Sequence, residues 1–286
     1  MQTFVIQFVH GMVYGMLLFL VSSGLTLVFG MMNVLNIAHV AFYMLGAYFS
    51  YQMFQIVGNF WLALIVCPIL VGFLGILMER FLLRRVHAAG HVQEFVITFG
   101  ILFLVNEAVK WIWGSETLVV PIPPVLSGSV TIMGNVYPDY RLFILFFSLI
   151  ILAFLVFLLL KTRLGITVRA MVCDRDMVSA LGTNTSFVFM LVMGIGSWLA
   201  GLAGVIAGPF ISIYPGMALE FLVDCFVVTV TGGLGSLLGA VVASFLLGQL
   251  TSFGILLIPR LAIVFGFLLM TIVLIIRPSG LFGEKP

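Results

Sequence analysis

Asn36, His39 and Tyr43 stand in the run NVLNIAHVAFYMLGAY. On a helix advancing about 100° per residue they fall, with Ala47, within an arc of about 80°. An amide, an imidazole and a phenol aligned on an otherwise apolar helix can line a path for a small polar solute. The same three groups can instead bond across to neighbouring helices or sit at an interface, and on the residues alone both readings stand. The stripe follows Gly30-Met31-Met32-Asn33, read as a short break. Broken helices whose ends face a cavity are where transporters commonly place substrates. A second set lies in LEFLVDCFVVTVTGG, where Glu220, Asp224 and Thr231 share a face within about 40°. Two carboxylates one turn apart suit a wet outer mouth, although Glu220 can also be a long side chain solvated at the interface. Ionisable groups at membrane depth cost about 2.5–3.5 kcal/mol on insertion scales, so each needs a partner, water or a task. Glu107 and Lys110, three residues apart, are expected to pair with each other.

The elements that carry these residues are apolar helices. Of 286 residues, 63% are hydrophobic and 8% charged, with a mean hydropathy of +1.31, whereas soluble domains carry roughly 25% charge. Apolar segments recur at about 8–30, 35–57, 60–80, 93–113, 141–160, 187–213, 219–233, 235–253 and 256–277. Backbone amides in lipid must be satisfied within each segment, and the alternating ten-residue strands of a barrel are missing from the sequence. The expected fold is an all-α polytopic membrane protein of about 8–9 transmembrane helices with at least one broken helix, forming a single domain over 1–286. Met1 to His10 contain no Lys or Arg, so the first segment reads as an uncleaved span rather than a signal. Cys67, Cys173 and Cys225 are too scattered for a disulfide framework or a metal site, and a net charge of +2 gives no reason to expect nucleic acid. Gly235, Gly239 and Ala243 form a small-xxx-small pattern suited to close helix packing.

Chemistry of the usual enzymatic kinds finds no foothold. None of the lysines follows a glycine, so no phosphate loop exists, and neither HExxH nor GxSxG occurs. A non-catalytic subunit with no cofactor of its own is expected. Basic residues cluster at Arg80, Arg84 and Arg85, at Lys161, Arg163, Arg169 and Arg175, and at Arg277 and Lys285. The positive-inside rule puts all three clusters in the cytoplasm. Two segments separate the first pair of clusters and four the second pair, so the parity is consistent and the N-terminus is expected outside and the C-terminus inside. Arg141 and Arg260 then fall near outer ends, against that orientation. The stretch 114–140, with Pro121, Pro123 and Pro124, reads as an external loop. The stretch 161–186 is amphipathic: after Gly165, one helix would carry Ala170, Met177 and Leu181 on a narrow stripe, with Arg169, Arg175, Asp176 and Ser179 away from it and Gly182 as its stop. Such a segment is either a docking surface for another protein or a helix lying on lipid.

The chain resembles the permease subunits of the bacterial branched-chain (hydrophobic) amino acid ABC importers, and the first of the two permeases more than its longer companion. The resemblance runs nearly end to end through SGLTLVFGMMNVLNIAHVAFYMLGAY (23–48), ERFLLRR (79–85), ITFGILFLVNEAVKWIWG (97–114), TRLGITVRAMVCDRDMVSALGTN (162–184), TGGLGSLLGAVVASFLLG (231–248) and RPSGLFG (277–283). It implies a type II-like importer permease in the bacterial inner membrane. Its implied partners are a second permease, generally a different chain, two cytoplasmic ATPases that use ATP, and a periplasmic solute-binding protein. It further implies a coupling helix at about Arg169 to Asn184, with Arg169, Arg175, Asp176 and Gly182 as coupling residues. Family members typically read N-F-A-H-G-E where this chain has Asn36-Ile37-Ala38-His39-Val40-Ala41. The cargo therefore stays open among branched-chain amino acids, amides, urea and aromatic acids. An ion-coupled secondary transporter, with Asp224 or Glu220 as its ion-binding group, and a passive channel are the alternatives from other classes.

Overall fold

A computed structural model describes residues 2–32, 36–87, 90–132 and 134–283. In chain order the helices are α1 (Gln2–Met32), α2 (His39–Val57) and α3 (Phe60–Met78). The third continues through a π-helical stretch, Glu79–Leu83, into the short α4 (Arg84–Val86). After α5 (His91–Trp113) come the strands β1 (Ser129–Ile132) and β2 (Asn135–Pro138) and then α6 (Asp139–Lys161). The remainder is α7 (Arg163–Cys173), α8 (Arg175–Ala180), α9 (Thr185–Ala207), α10 (Met217–Gly232), α11 (Leu237–Leu257) and α12 (Ala262–Ile276). A helix thus occupies each apolar segment read from the sequence. Among the described residues, six helices are long and apolar enough by themselves to cross a membrane: Thr3–Met32, Phe60–Val86, His91–Trp113, Asp139–Lys161, Thr185–Ala207 and Leu237–Leu257.

Short polar residues start several of these helices. Asn59 accepts from the amide of Trp61 at 2.9 Å, Asn184 from Phe187 at 3.1 Å and Ser236 from Gly239 at 3.1 Å. Each satisfies an amide that lipid could not, where a cap is worth about 1 kcal/mol even in water. The core is built on α9, whose most apolar stretch is 78% buried against 22% for α5 and α6. Small residues bring its neighbours close. A Cβ at Gly46 of α2 would lie 2.2 Å from the Gly201 carbonyl oxygen, and one at Gly75 of α3 would lie 2.1 Å from Ser197 Oγ. On the far side of α1, a Cβ at Gly248 of α11 would meet the Gly11 oxygen at 2.4 Å. Backbones in lipid associate through van der Waals contact of this kind.

Four expectations need correction. Gly30, Met31 and Met32 are the last turn of α1 rather than a break, and Asn33 lies outside the described residues. Segment 114–140 is not all loop: β1 and β2 pair antiparallel, Ser129 opposite Pro138, and Leu118 pairs with Ile213 of the α9–α10 connection. The helix expected after Gly165 is two helices, because Asp174 turns to φ −155° and its carboxylate caps α8 by accepting from the Met177 amide at 2.9 Å. Gly235 belongs to the turn before α11, at φ +85°, and packs from there against Gly30 of α1, while the approach made by α11 itself runs from Gly239 to Gly232.

The fold gathers the described basic clusters at one end. Arg84 and Arg175 line one cavity there, and Met32 at the end of α1 borders its neighbour. Gly30, near the same end of α1, touches Gly235. The closing RPSGLFG motif folds back onto the end of α10, where the amides of Leu281 and Phe282 donate to the carbonyls of Thr231 and Gly232 at 2.9 and 3.0 Å. Lys285 lies outside the described residues.

Candidate functional site

His39 and Tyr43 of α2 face inward, and Asn36 joins them from the turn before α2 rather than from the helical arc expected for it. Asn36, His39 and Tyr43 are 2%, 0% and 1% exposed. His39 Nε2 lies 3.1 Å from the Val21 carbonyl of α1 and so carries the hydrogen, which leaves Nδ1 as the bare acceptor of the neutral ring. Asn36 Nδ2 donates to Met193 Sδ at 3.6 Å. Asn36 Oδ1, His39 Nδ1 and the Tyr43 hydroxyl have no partner among the described residues. Buried polar atoms are nearly always paired, so this seam keeps unused hydrogen-bonding capacity inside the helix packing. The glycine opposite matters: a Cβ at Gly24 would lie 2.9 Å from the His39 ring.

Helix α10 joins the stripe to the carboxylates. Phe221 stacks on Tyr43 with centroids 4.4 Å apart and meets Tyr14 edge-on at 6.4 Å. One residue triplet further along, the half-buried Asp224 accepts from the Tyr14 hydroxyl. Tyr43 and Tyr14 are therefore assembled around one phenyl ring, with Asp224 held by Tyr14, a grouping whose Tyr14 member the sequence reading had missed. Glu220, one turn earlier, is exposed and accepts from Tyr214. Burial first, and then that hydrogen bond to a carboxylate, push the Tyr214 phenol up to about 12, so it stays a donor at neutral pH. Thr231 does not belong with the two acids in environment: it is fully buried where α10 meets α11. Glu107 and Lys110 pair at 2.6 Å on the surface of α5.

At the same end as Glu220, a cavity of about 370 Å³ opens between α1, α6 and α11, bordered by Gln7, His10, Tyr14, Arg141, Phe210 and Ser252. Arg141 is not stranded in lipid. Its guanidinium stacks 5.0 Å from the Phe210 ring and donates to His10 Nδ1 at 2.6 Å.

At the basic end, α7 and α8 sit outside the bundle. Gly165, Val168, Met171 and Val178 face inward, while Arg169, Ala170, Asp176, Met177 and Leu181 are exposed. The apolar stripe read from the sequence is thus the outward face, carried by two short helices instead of one. Gly182, at φ +87°, closes α8: its amide donates to Ser179 O at 3.0 Å and that of Thr183 to Val178 O at 3.3 Å. This is the crossed pattern of a Schellman stop, which needs a left-handed residue. Arg175 behaves differently from its neighbours. It turns back onto the bundle, 4.5 Å over the ring of Phe189. There it lines a cavity of about 350 Å³ with Glu79, Arg84, His87 and Ser186. Glu79 and His87, with Glu94, were not singled out in the sequence, where a carboxylate beside a basic cluster was the available signal. Among the described residues no group of His, Cys, Asp or Glu is placed to hold a metal ion.

The family profile of the branched-chain amino acid transport system permease component matches residues 7–276. The chain belongs to this permease family. The permease is 28% identical to the high-affinity branched-chain amino acid transport system permease protein BraD of Pseudomonas aeruginosa, over 97% of its own length and 95% of the relative's. It is also 28% identical to the LivH permease proteins of the same name in Salmonella typhimurium and Escherichia coli K12, over 98% of its length and 96% of theirs. No solved structure matches it. Near full coverage in both directions means that the inward stripe, the α10 acids and the α7–α8 projection all lie within the region the permease shares with these relatives.

Proposed function

We propose that this permease is a membrane subunit of an ATP-driven importer, moving branched-chain amino acids or a related small organic solute across the bacterial inner membrane. The observation that carries the reading is the α7–α8 projection. A permease-family chain without a phosphate loop presents, beyond its spans and at its basic end, two short helices whose exposed face carries Met177 and Leu181, 58% and 78% exposed. Apolar residues turned outward there need a partner surface. Two cytoplasmic ATPase subunits are that partner, with Arg169, Asp176 and Gly182 at the contact and Arg175 behind it. The membrane core is completed by a second permease, and a periplasmic binding protein delivers the solute.

In this reading nine helices cross. The shorter α2, α10 and α12 add to the six long spans, and α10 at 16 residues is about 24 Å long. The buried, non-helical Asn36, Ile37 and Ala38 between α1 and α2 serve as the interruption at membrane depth. The basic end is cytoplasmic by the positive-inside rule, which sets the N-terminus outside and the C-terminus inside. Asn36, His39 and Tyr43 belong to the half of the pathway supplied by this chain, opening as the two membrane halves rock between outward and inward access. Glu220 and Asp224 stand at the outer mouth. Val40 and Ala41, both buried, leave the stripe without the glycine and carboxylate of the commoner motif. The branched-chain cargo of the named relatives is the support for the substrate.

Reconstitution decides the matter. The permease, co-expressed with its neighbouring membrane, ATPase and binding proteins, should take up the ligand of that binding protein in proteoliposomes containing ATP, and should continue when an uncoupler collapses ion gradients. Uptake by this chain alone, or uptake abolished by the uncoupler with ATP intact, would reject an ATP-driven importer in favour of a channel or an ion-coupled carrier.

A further inference from the structure

Beneath α8, His87 bridges two buried carboxylates. Its Nε2 lies 2.9 Å from Glu79 Oε1, and its Nδ1 is in hydrogen-bond contact with Glu94 Oε1. Glu79 and Glu94 are each 2% exposed, and Oε2 of each has no partner among the described residues. An ionised carboxylate only accepts, and a neutral imidazole has one N–H. For both contacts to be hydrogen bonds, either the ring carries two hydrogens or one carboxyl is protonated. In either form the trio holds one proton more than the same groups do in neutral water. Glu79 lies on the π-helical extension of α3 and Glu94 in the first turn of α5, so the bridge ties those two membrane helices together at the basic end. Arg175, the first residue of α8, reaches both the cavity that contains Glu79 and the adjoining one of about 100 Å³ that contains Glu94 and His91.

We propose that Glu79, His87 and Glu94 are positioning residues for energy coupling: a proton-held bridge that makes the ends of α3 and α5 one body, against which Arg175 transmits the movement of α8. The inference rests on the ATP-driven reading given above. Its chemistry has a definite sign. Burial works against charge on His87, but hydrogen bonds and attraction from Glu79 and Glu94 outweigh it and hold the pKa above 6.5. The other charged or titratable groups facing the ring are Arg84, His91 and Arg175, while α1 and α9 contribute Met32, Ser186 and Phe189. The bridge is accordingly complete below pH 6.5 and is lost as pH rises through the raised folded-state value.

The test uses the complete importer in proteoliposomes, measuring solute moved per ATP hydrolysed against pH on the ATPase side. Wild type should couple best at low pH and fall by about tenfold per pH unit once above the folded pKa, as the protonated fraction does. His87→Gln should couple poorly at every pH, whereas His87→Arg, a fixed cation, should couple well with a flat profile. Wild-type coupling and pH dependence in His87→Gln, or an unchanged profile in His87→Arg, would overturn the proposal. Spin labels on cysteines replacing the exposed Arg85 and Val92, with Cys173 changed to serine, read the bridge in the permease without ATP. The distance should lengthen at high pH and in His87→Gln. If it does so while transport consumes no ATP, the importer reading has failed and the bridge has not; an unchanged distance rejects the bridge.

Discussion

Tyr14 and Asp224 are 210 residues apart in the chain and share one hydrogen bond, so the consequence of removing either depends on what is left buried. Asp224→Ala would strand the Tyr14 hydroxyl without its acceptor, at a cost of about 1–3 kcal/mol. Asp224→Asn keeps an acceptor oxygen and should lose less. Thermal unfolding of the purified permease should rank the variants wild type, Asn, Ala; equal midpoints for Asn and Ala would mean that the bond contributes nothing to the fold. The same Asp224→Asn protein should remain ATP-dependent in uptake. A carrier using that acid to bind an ion would instead lose its gradient coupling.

Helices in this protein are held by absent side chains as much as by present ones. A Cβ at Gly204 would lie 2.0 Å from the Tyr43 carbonyl oxygen, so Gly204→Ala must push α9 from α2, an overpacking cost of about 1–3 kcal/mol. Gly100 on α5 has nothing within 4 Å of such an atom. Gly100→Ala should therefore be neutral or raise the unfolding midpoint, since alanine favours the helix by about 1 kcal/mol. Comparable midpoint losses in both variants would contradict the α2–α9 contact. Gly182 acts through its backbone instead. At φ +87° an L side chain costs about 1–2 kcal/mol, so Gly182→Ala should fray the end of α8. The expected readout is ATPase activity that persists while solute uptake per ATP drops, with the subunit still inserted.

For the molecule as a whole, sidedness can be read with its own thiols. Cys173, the last residue of α7, is exposed, and Cys67 and Cys225 are buried in the bundle. A membrane-impermeant maleimide should modify Cys173 in inverted vesicles and leave it untouched in right-side-out ones, with a serine variant as control. Labelling from the outside would invert the orientation drawn from the basic clusters, and with it the assignment of α7–α8 to an ATPase.

Membrane class, the positions of nine helices and the even parity between basic clusters are legible in the sequence, because hydropathy, helical satisfaction of the backbone and charge at segment ends are local properties of the chain. So is the turn at Gly182, whose residue type announces a left-handed stop. The fracture at Asp174 was less visible, since an aspartate continues an amphipathic pattern as readily as it caps a new helix. Helical spacing placed His39 and Tyr43 on one stripe, but only the tertiary structure decided that Asn36 joins them from the turn before α2 and that α1, α9 and α10 close over them. Likewise Glu79, His87 and Glu94 stand on segments of different phase, and Tyr14 meets Asp224 across the length of the chain. Which polar groups share a buried site depends on where small residues let helices approach, a property of pairs of surfaces that no single run of residues contains.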